Sequence, residues 1–317
     1  MPDLKVVIPL DGTTLSETAL AVLPALKPLG GLDVRLVSVW EALWEGQEPE
    51  DQRASDRMRE LTEQGHSYLS AYLKEQVERV QAMGYKAEYV MRQGRAAEEV
   101  LAEIHVGDVD LVIVATHGRT GIERFRLGSV ADKVVRASEC PTLVVGPNVH
   151  GDLGAYAIRK ITVPLDGSEI AEAALPLAAY LSRSLGARIE LIRAVTLPTM
   201  TSAAGMEAGN PQVILDMLED AARSYMTRVQ SELKTGQPVE ATVVIGASAE
   251  EVLRYLREHP CDLVIMTSRG RGGLARAALG SVTDRVLHGP APVLVLRPEM
   301  EGRASRLIEA ARAAAGT

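Results

Sequence analysis

KVVIPLDG (residues 5–12) and KITVPLDG (160–167) are two copies of one pattern: a lysine, an apolar β-branched run, Pro-Leu, then Asp-Gly. Such a run closed by Asp-Gly reads as a strand entering a tight turn. A second pair follows, ATHGRTGIERFRLGSVADKVV (115–135) and TSRGRGGLARAALGSVTDRVL (267–287). The offset is 155 between Asp11 and Asp166 and 152 between Gly118 and Gly270, so order and spacing persist within three residues. That period is too long for a solenoid repeat and matches one whole domain. The chain of 317 residues therefore divides into 1–148, 158–298 and an Ala/Arg-rich tail, 299–317.

Composition narrows the function. A net charge of −8 argues against a phosphate-backbone binder, which needs a basic face. Aromatics make up 3% of the chain, too few for stacking platforms along single-stranded nucleic acid. Cys140 and Cys261 form no C-x-x-C, and both are expected as small buried side chains in a reducing cytoplasm. Met1 runs at once into Pro2, Asp3 and a strand-like run, without a signal-peptide pattern. No apolar stretch approaches the length that spans a membrane.

Short β-branched runs alternate with longer stretches of helical period, which predicts parallel sheets covered by helices. The strands expected in the first half are 4–10, 34–39, 86–91, 110–115 and 142–146; in the second they are 160–165, 188–194, 239–245, 262–267 and 293–297. DLVIVA (110–115) is apolar without alternation, as a strand buried on both faces should be. Leu69, Leu73, Val77 and Val80 mark one helix face ending at Gly84, and Ile214, Leu218, Ala222, Tyr225 and Val229 mark another with Gly236 beyond. Pro24 and Pro176 should limit their helices. Segments 41–55 and 196–211 read as long irregular loops, and 148–157 as a short polar linker.

The repeated residues suggest a ligand. In an open parallel sheet, ligands collect beyond the carboxyl ends of strands, where the strand order reverses. Asp11 and Asp166 end their strands there, if the first and fourth strands are neighbours. Gly118 and Gly128 are separated by nine residues, as are Gly270 and Gly280. Glycine permits positive φ and close approach of the backbone to a ligand. Ser129 and Ser281 then open helices whose free N–H groups suit an anion, and Arg119 and Arg271 add charge. A strand-terminal carboxylate suits ribose hydroxyls or an adenine edge. Together these describe a mononucleotide cradle.

On these motifs the chain resembles a tandem universal stress protein, over about residues 4–147 and 159–298. The resemblance implies two Rossmann-like α/β domains, each a five-stranded parallel sheet of order 3-2-1-4-5 with helices on both faces. It implies ATP or another adenine nucleotide, with or without Mg²⁺. Carried over residue by residue, Pro9, Asp11 and the backbone of Val39 would surround adenosine, and Gly118, Gly128, Ser129 and Val130 would hold phosphates. The second copy would use Pro164, Asp166, Ala194, Gly270, Gly280, Ser281 and Val282. It also implies an internal pseudo-dimer through 142–146 and 293–297, and leaves a further homodimer open. Both halves depart from the family's G-x2-G-x9-G-[ST] at its first glycine, which is Ala115 and Thr267. A β-branched threonine would be costly at positive φ and brings bulk near the phosphates, which ranks the first site above the second.

Plainer readings stand beside these. Glycines after a strand often serve only the turn, and Asp11 and Asp166 could simply cap a helix. The acidic pairs Glu98-Glu99 and Glu250-Glu251 suit helix starts. His117 has Arg269 as its counterpart, which argues against a shared catalytic role. No histidine has metal-ligand spacing, and neither a G-x-S-x-G elbow nor a G-x-x-x-x-G-K-[ST] loop occurs. The expectation is a cytoplasmic nucleotide-binding sensor or regulator of the stress response, without a catalytic residue. The alternatives are a slow ATPase or phosphotransferase, and a pairing module that binds no nucleotide.

Overall fold

The computed structural model describes residues 3–40, 51–116, 127–146, 149, 156–196, 211–268, 279–297, 306, 307 and 309. It divides into two compact units, Met1–Tyr156 with Gly302–Leu307, and Ala157–Glu301 with Ile308–Thr317.

In the first unit the strands are β1 (Leu4–Pro9), β2 (Leu32–Trp40), β3 (Lys86–Gln93), β4 (Leu111–Ala115) and β5 (Thr142–Val145). Their order is β3-β2-β1-β4-β5, with every pairing parallel. The helices are α1 (Leu23–Leu26), α2 (Gln52–Ala82), α3 (Ala96–Val106) and α4 (Ser129–Ala137). The second unit repeats this with β6 (Lys160–Pro164), β7 (Arg188–Val195), β8 (Val239–Ile245), β9 (Leu263–Thr267) and β10 (Val293–Leu296). Its order is β8-β7-β6-β9-β10, again all parallel, and its helices are α5 (Glu169–Glu172), α6 (Leu175–Leu185), α7 (Pro211–Glu232), α8 (Ser248–Glu258) and α9 (Ser281–Val286). Both units therefore have the expected Rossmann-like order, and the reversal falls between β1 and β4 and between β6 and β9.

The elements follow from their residues. Val112 and Ile113 in β4, and Val264 and Ile265 in β9, are fully buried because helices cover both sheet faces. Leu73 and Val80 of α2, and Ala222 and Val229 of α7, are buried on the predicted faces. Gly84, at φ 89°, turns the chain after α2. Pro176 occupies the first turn of α6, where a missing N–H costs nothing, and so separates α5 from α6. In the first unit the matching stretch is tighter: Ser16–Val22 forms a 3-10 helix before α1, with Pro24 in the first turn of α1. Loop 41–55 was expected to be irregular throughout, yet α2 starts at Gln52, because Asp51 accepts the Arg53 N–H at 3.2 Å and caps it. Residues 41–50 and 197–210 lie outside the described residues, as does most of the expected linker.

The tail has a described foothold. Leu307 is buried, and Arg306 Nη1 lies 2.9 Å from Asp108 and 3.4 Å from Asp110 within the first unit. Cys140 is fully buried, as expected. Cys261 keeps some exposure, yet burial pushes its thiol up to about 11.

Candidate functional site

At the carboxyl end of β1, Asp11 Oδ1 accepts the Thr13 N–H at 3.0 Å and the Thr13 hydroxyl at 2.6 Å. At the end of β6, Asp166 Oδ1 accepts the Ser168 N–H at 2.9 Å and the Ser168 hydroxyl at 2.6 Å. Gly12 and Gly167, at φ 79° and 82°, supply the left-handed residue each turn needs. The hydroxyls then pass the order on: Ser168 Oγ accepts the Ala171 N–H at 3.2 Å as the N-cap of α5, and Thr13 Oγ1 accepts the Ser16 N–H at 3.2 Å. In the second unit capping is thus done by Ser168, with Asp166 behind it; in the first, Thr13 makes the matching bond ahead of the 3-10 helix, whose N-cap is Leu15 and has no side-chain cap. Neither hydroxyl residue was singled out from sequence, although both stand two places beyond the repeated aspartate.

Pro9 and Pro164 close β1 and β6, and Val39 and Ala194 stand on the adjacent strands two residues beyond Val37 and Ile192. The Leu10 N–H donates to the Val37 carbonyl at 2.9 Å, and Leu165 to Ile192 at 2.8 Å, which brings these residues to the same edge as the Asp-Gly turns. Opposite them, Gly128 and Gly280 are the N-caps of α4 and α9, and neither helix has a side-chain cap. The first N–H groups of such helices, those of Ser129, Val130, Ser281 and Val282, have no acceptor inside the helix. Helices α3 and α8 also start without a side-chain cap, but there Glu99 and Glu251 crowd the preceding Gly94 and Gly246. Gly118, Arg119, Gly270 and Arg271 lie outside the described residues, as do His117 and Arg269.

Two expectations about the backbone change. Gly128 and Gly280 have φ of −65° and −64°, open to any residue, so neither uses the left-handed freedom of glycine. Among described residues other than glycine, only Asp108 has a positive φ, so Ala115 and Thr267 are unstrained. The strain argument against the second site therefore fails. Thr267 is buried as the last residue of β9, where its carbonyl accepts the Thr283 hydroxyl at 3.0 Å. What does distinguish the second copy is that the Gly280 N–H already donates to the Ser268 carbonyl at 2.8 Å.

In each unit a tyrosine of the long helix, Tyr72 of α2 and Tyr225 of α7, lies near a glutamate that follows the Asp-Gly turn; of the two, Tyr225 was expected only as part of a helix face and Tyr72 was not assigned. Burial, then the Glu17 charge, pushes the Tyr72 phenol far up; burial, then the neighbouring Glu172 carboxylate, does the same for Tyr225. Glu17 pairs with Arg79 at 2.8 Å and Glu172 with Arg228 at 3.0 Å. The Tyr-Glu part was legible, since Tyr72/Tyr225 and Glu17/Glu172 recur with the repeat. The arginines were not, because they come from different positions on α2 and α7. Arg193 also lies over the Tyr225 ring, 4.5 Å from its centroid, where the first unit has Ser38.

The fold and these edges define a doubly wound α/β protein whose strand order reverses beside the Asp-Gly turn of each unit. A family model described as the universal stress protein family matches residues 4–146 and 157–297, and the chain belongs to that family. A universal stress protein of Mycobacterium bovis is 26% identical over 93% of this chain and 95% of its own length. One from Mycobacterium tuberculosis is 28% identical over 60% of this chain, a match spanning 62% of that relative's length. The crystal structure of a universal stress protein from Archaeoglobus fulgidus superposes with a TM-score of 0.63, at 20% identity, covering 92% of this chain and 98% of that one. Among the described residues, no helix is long and apolar enough to cross a membrane.

Proposed function

We propose that this protein binds an adenine nucleotide, ATP in the first instance, in each of its two crevices, and acts in the stress response as a cytoplasmic sensor or regulator. The observation that carries the reading is a coincidence found in both units. An Asp-Gly turn closes the central strand at the point where the strand order reverses, and a helix with an uncapped N-terminus starts after the neighbouring strand. Pro9, Asp11 and Val39 would take the nucleoside and Gly128, Ser129 and Val130 the phosphates, with Gly118 and Arg119 completing that end. Pro164, Asp166, Ala194, Gly270, Arg271, Gly280, Ser281 and Val282 would do the same in the second unit. Mg²⁺ would arrive with the phosphates, since among the described residues no cluster of His, Cys, Asp or Glu could hold a metal unaided.

No general base is assigned, so hydrolysis is expected to be weak. The pairing of 142–146 with 293–297 belongs to the same reading: each is the last strand of its unit. Calorimetry with ATP, AMP and cyclic AMP, on protein stripped of bound ligand, should find at least one site. No heat, together with no nucleotide released on denaturation, would sink the reading. Fast Mg²⁺-dependent turnover that disappears in Ser129→Ala would transfer it to an ATPase.

A further inference from the structure

Strand β8 is the outer strand of the second unit, with β7 on one side of it. The Pro238 carbonyl accepts the Ile189 N–H at 3.3 Å, and the Gly246 N–H donates to the Val195 carbonyl at 2.9 Å. Because strand faces alternate, the even-numbered residues of β8 turn their backbone groups to β7. Ala241, Val243 and Ile245 turn theirs away from it. The pairing with β7 runs one to one from Val239 to Ile245, so no bulge twists this edge aside. Ala241 is exposed and Ile245 is 42% exposed, so solvent reaches the edge. Both ends of the edge are defined. The outward Val239 carbonyl accepts the side-chain amide of Gln230 from α7, and Gly246, at φ 144°, ends the strand. The free span is therefore 241–245, with Val243 at its centre.

Charged side chains commonly guard such an edge. The matching strand of the first unit, β3, carries Lys86, Glu88 and Arg92, whereas β8 carries only Glu240. The free span is also its own complement. Laid antiparallel to a second copy and centred on Val243, it sets Val243 opposite Val243, Ala241 opposite Ile245 and Thr242 opposite Val244. Glu240 meets Gly246, so no like charges face each other. In this register the three outward-facing residues exchange N–H and C=O groups as the hydrogen-bonded pairs of an antiparallel ladder. Helix α7 widens the apolar surface. It leads into β8 by a short connection and packs on it, so helix and strand run antiparallel, with Gln230 fixed at the start of the strand. Met217 lies 13 residues back along the helix from Gln230, and Ile245 six residues along the strand from Val239; each step covers about 20 Å. Met217, 67% exposed, thus comes level with Ile245, and Val213, also exposed, stands one turn beyond.

We propose that two copies of this chain associate through β8, strand against antiparallel strand about a two-fold axis at Val243, with Met217 and Val213 at the rim. Sedimentation of the full chain over the micromolar range should show a concentration-dependent dimer. Ala241→Lys with Ile245→Lys sets like charges opposite each other at two symmetric places and should raise the dissociation constant about tenfold or more. Ala241→Lys with Ile245→Glu sets opposite charges there instead and should restore dimerisation to near the wild-type level. Both positions are exposed, so the fold tolerates either change. Val243→Pro removes an N–H that β7 does not use, and should give a monomer whose circular dichroism spectrum matches wild type. A wild-type chain that stays monomeric throughout would overturn the proposal. So would a double-lysine variant that dimerises as tightly as wild type, since the interface would then lie elsewhere. A lysine–glutamate variant as weak as the double-lysine one would rule out this register and overturn it too.

Discussion

Asp166 Oδ1 holds the Ser168 hydroxyl at 2.6 Å, and that hydroxyl oxygen accepts the Ala171 N–H at 3.2 Å. The carboxylate and the first turn of α5 are thus linked through one oxygen atom, and the Asp11–Thr13–Ser16 relay repeats the arrangement. Ser168→Ala should therefore cost about 1 kcal/mol, the usual value of an N-cap. Urea denaturation of the full chain measures it, and a loss below about 0.3 kcal/mol would show that the relay contributes little.

If the same aspartates hold a nucleoside, their removal has a separable effect. Asp11→Ala is predicted to weaken one ATP site by about tenfold or more, as loss of a charge-assisted hydrogen bond would. Asp166→Ala should weaken the other. Calorimetry of the two single variants and the double variant is the measurement; affinities equal to wild type in all three would remove the aspartates from the site.

Lys160 Nζ lies 2.6 Å from Glu190 Oε1, with both side chains more than nine-tenths buried. Breaking such a pair from one side leaves a buried charge alone. Lys160→Met should destabilise the protein by about 3–5 kcal/mol, while Lys160→Met with Glu190→Leu should recover most of the loss. A double variant no more stable than the single would mean that packing, not charge, holds this position.

Glu103 is 3% exposed and pairs with Arg35 at 2.7 Å and also with Arg92. Burial alone would raise its pKa, but the hydrogen bonds from Arg92 and Arg35 outweigh it and hold the carboxyl below its ordinary range. A folded pKa below the unfolded one adds stability above the ordinary carboxylate pKa of about 4.3, and that stability fades as pH falls toward the folded value. Glu103→Gln should thus lose about 1–3 kcal/mol at neutral pH and show a flatter acid limb. The arginines are more than a third exposed, so solvent screening favours the lower end. Denaturation midpoints from pH 7 to pH 3 that run parallel to wild type would contradict this.

Much of the fold was legible because it is written in local periodicity. DLVIVA and DLVIMT are too apolar to be anything but strands buried on both faces, and β8 spans 239–245 as expected. The repeat itself pointed to two like units. Boundaries moved where a cap decided them, as Asp51 did for α2, because a cap depends on one side-chain hydrogen bond and not on a pattern. Within the candidate site, the chain alone determined the strand-ending Asp11 and Asp166 and the Gly-Ser helix starts, since these are set by adjacent residues. Only the tertiary structure decided that Ala115 and Thr267 sit in unstrained backbone, that Gly128 and Gly280 have negative φ, and that Trp40 leans on Gly65. A backbone angle in a loop and the side chain that fills a given space are fixed by residues distant in the chain. No window of sequence contains both partners.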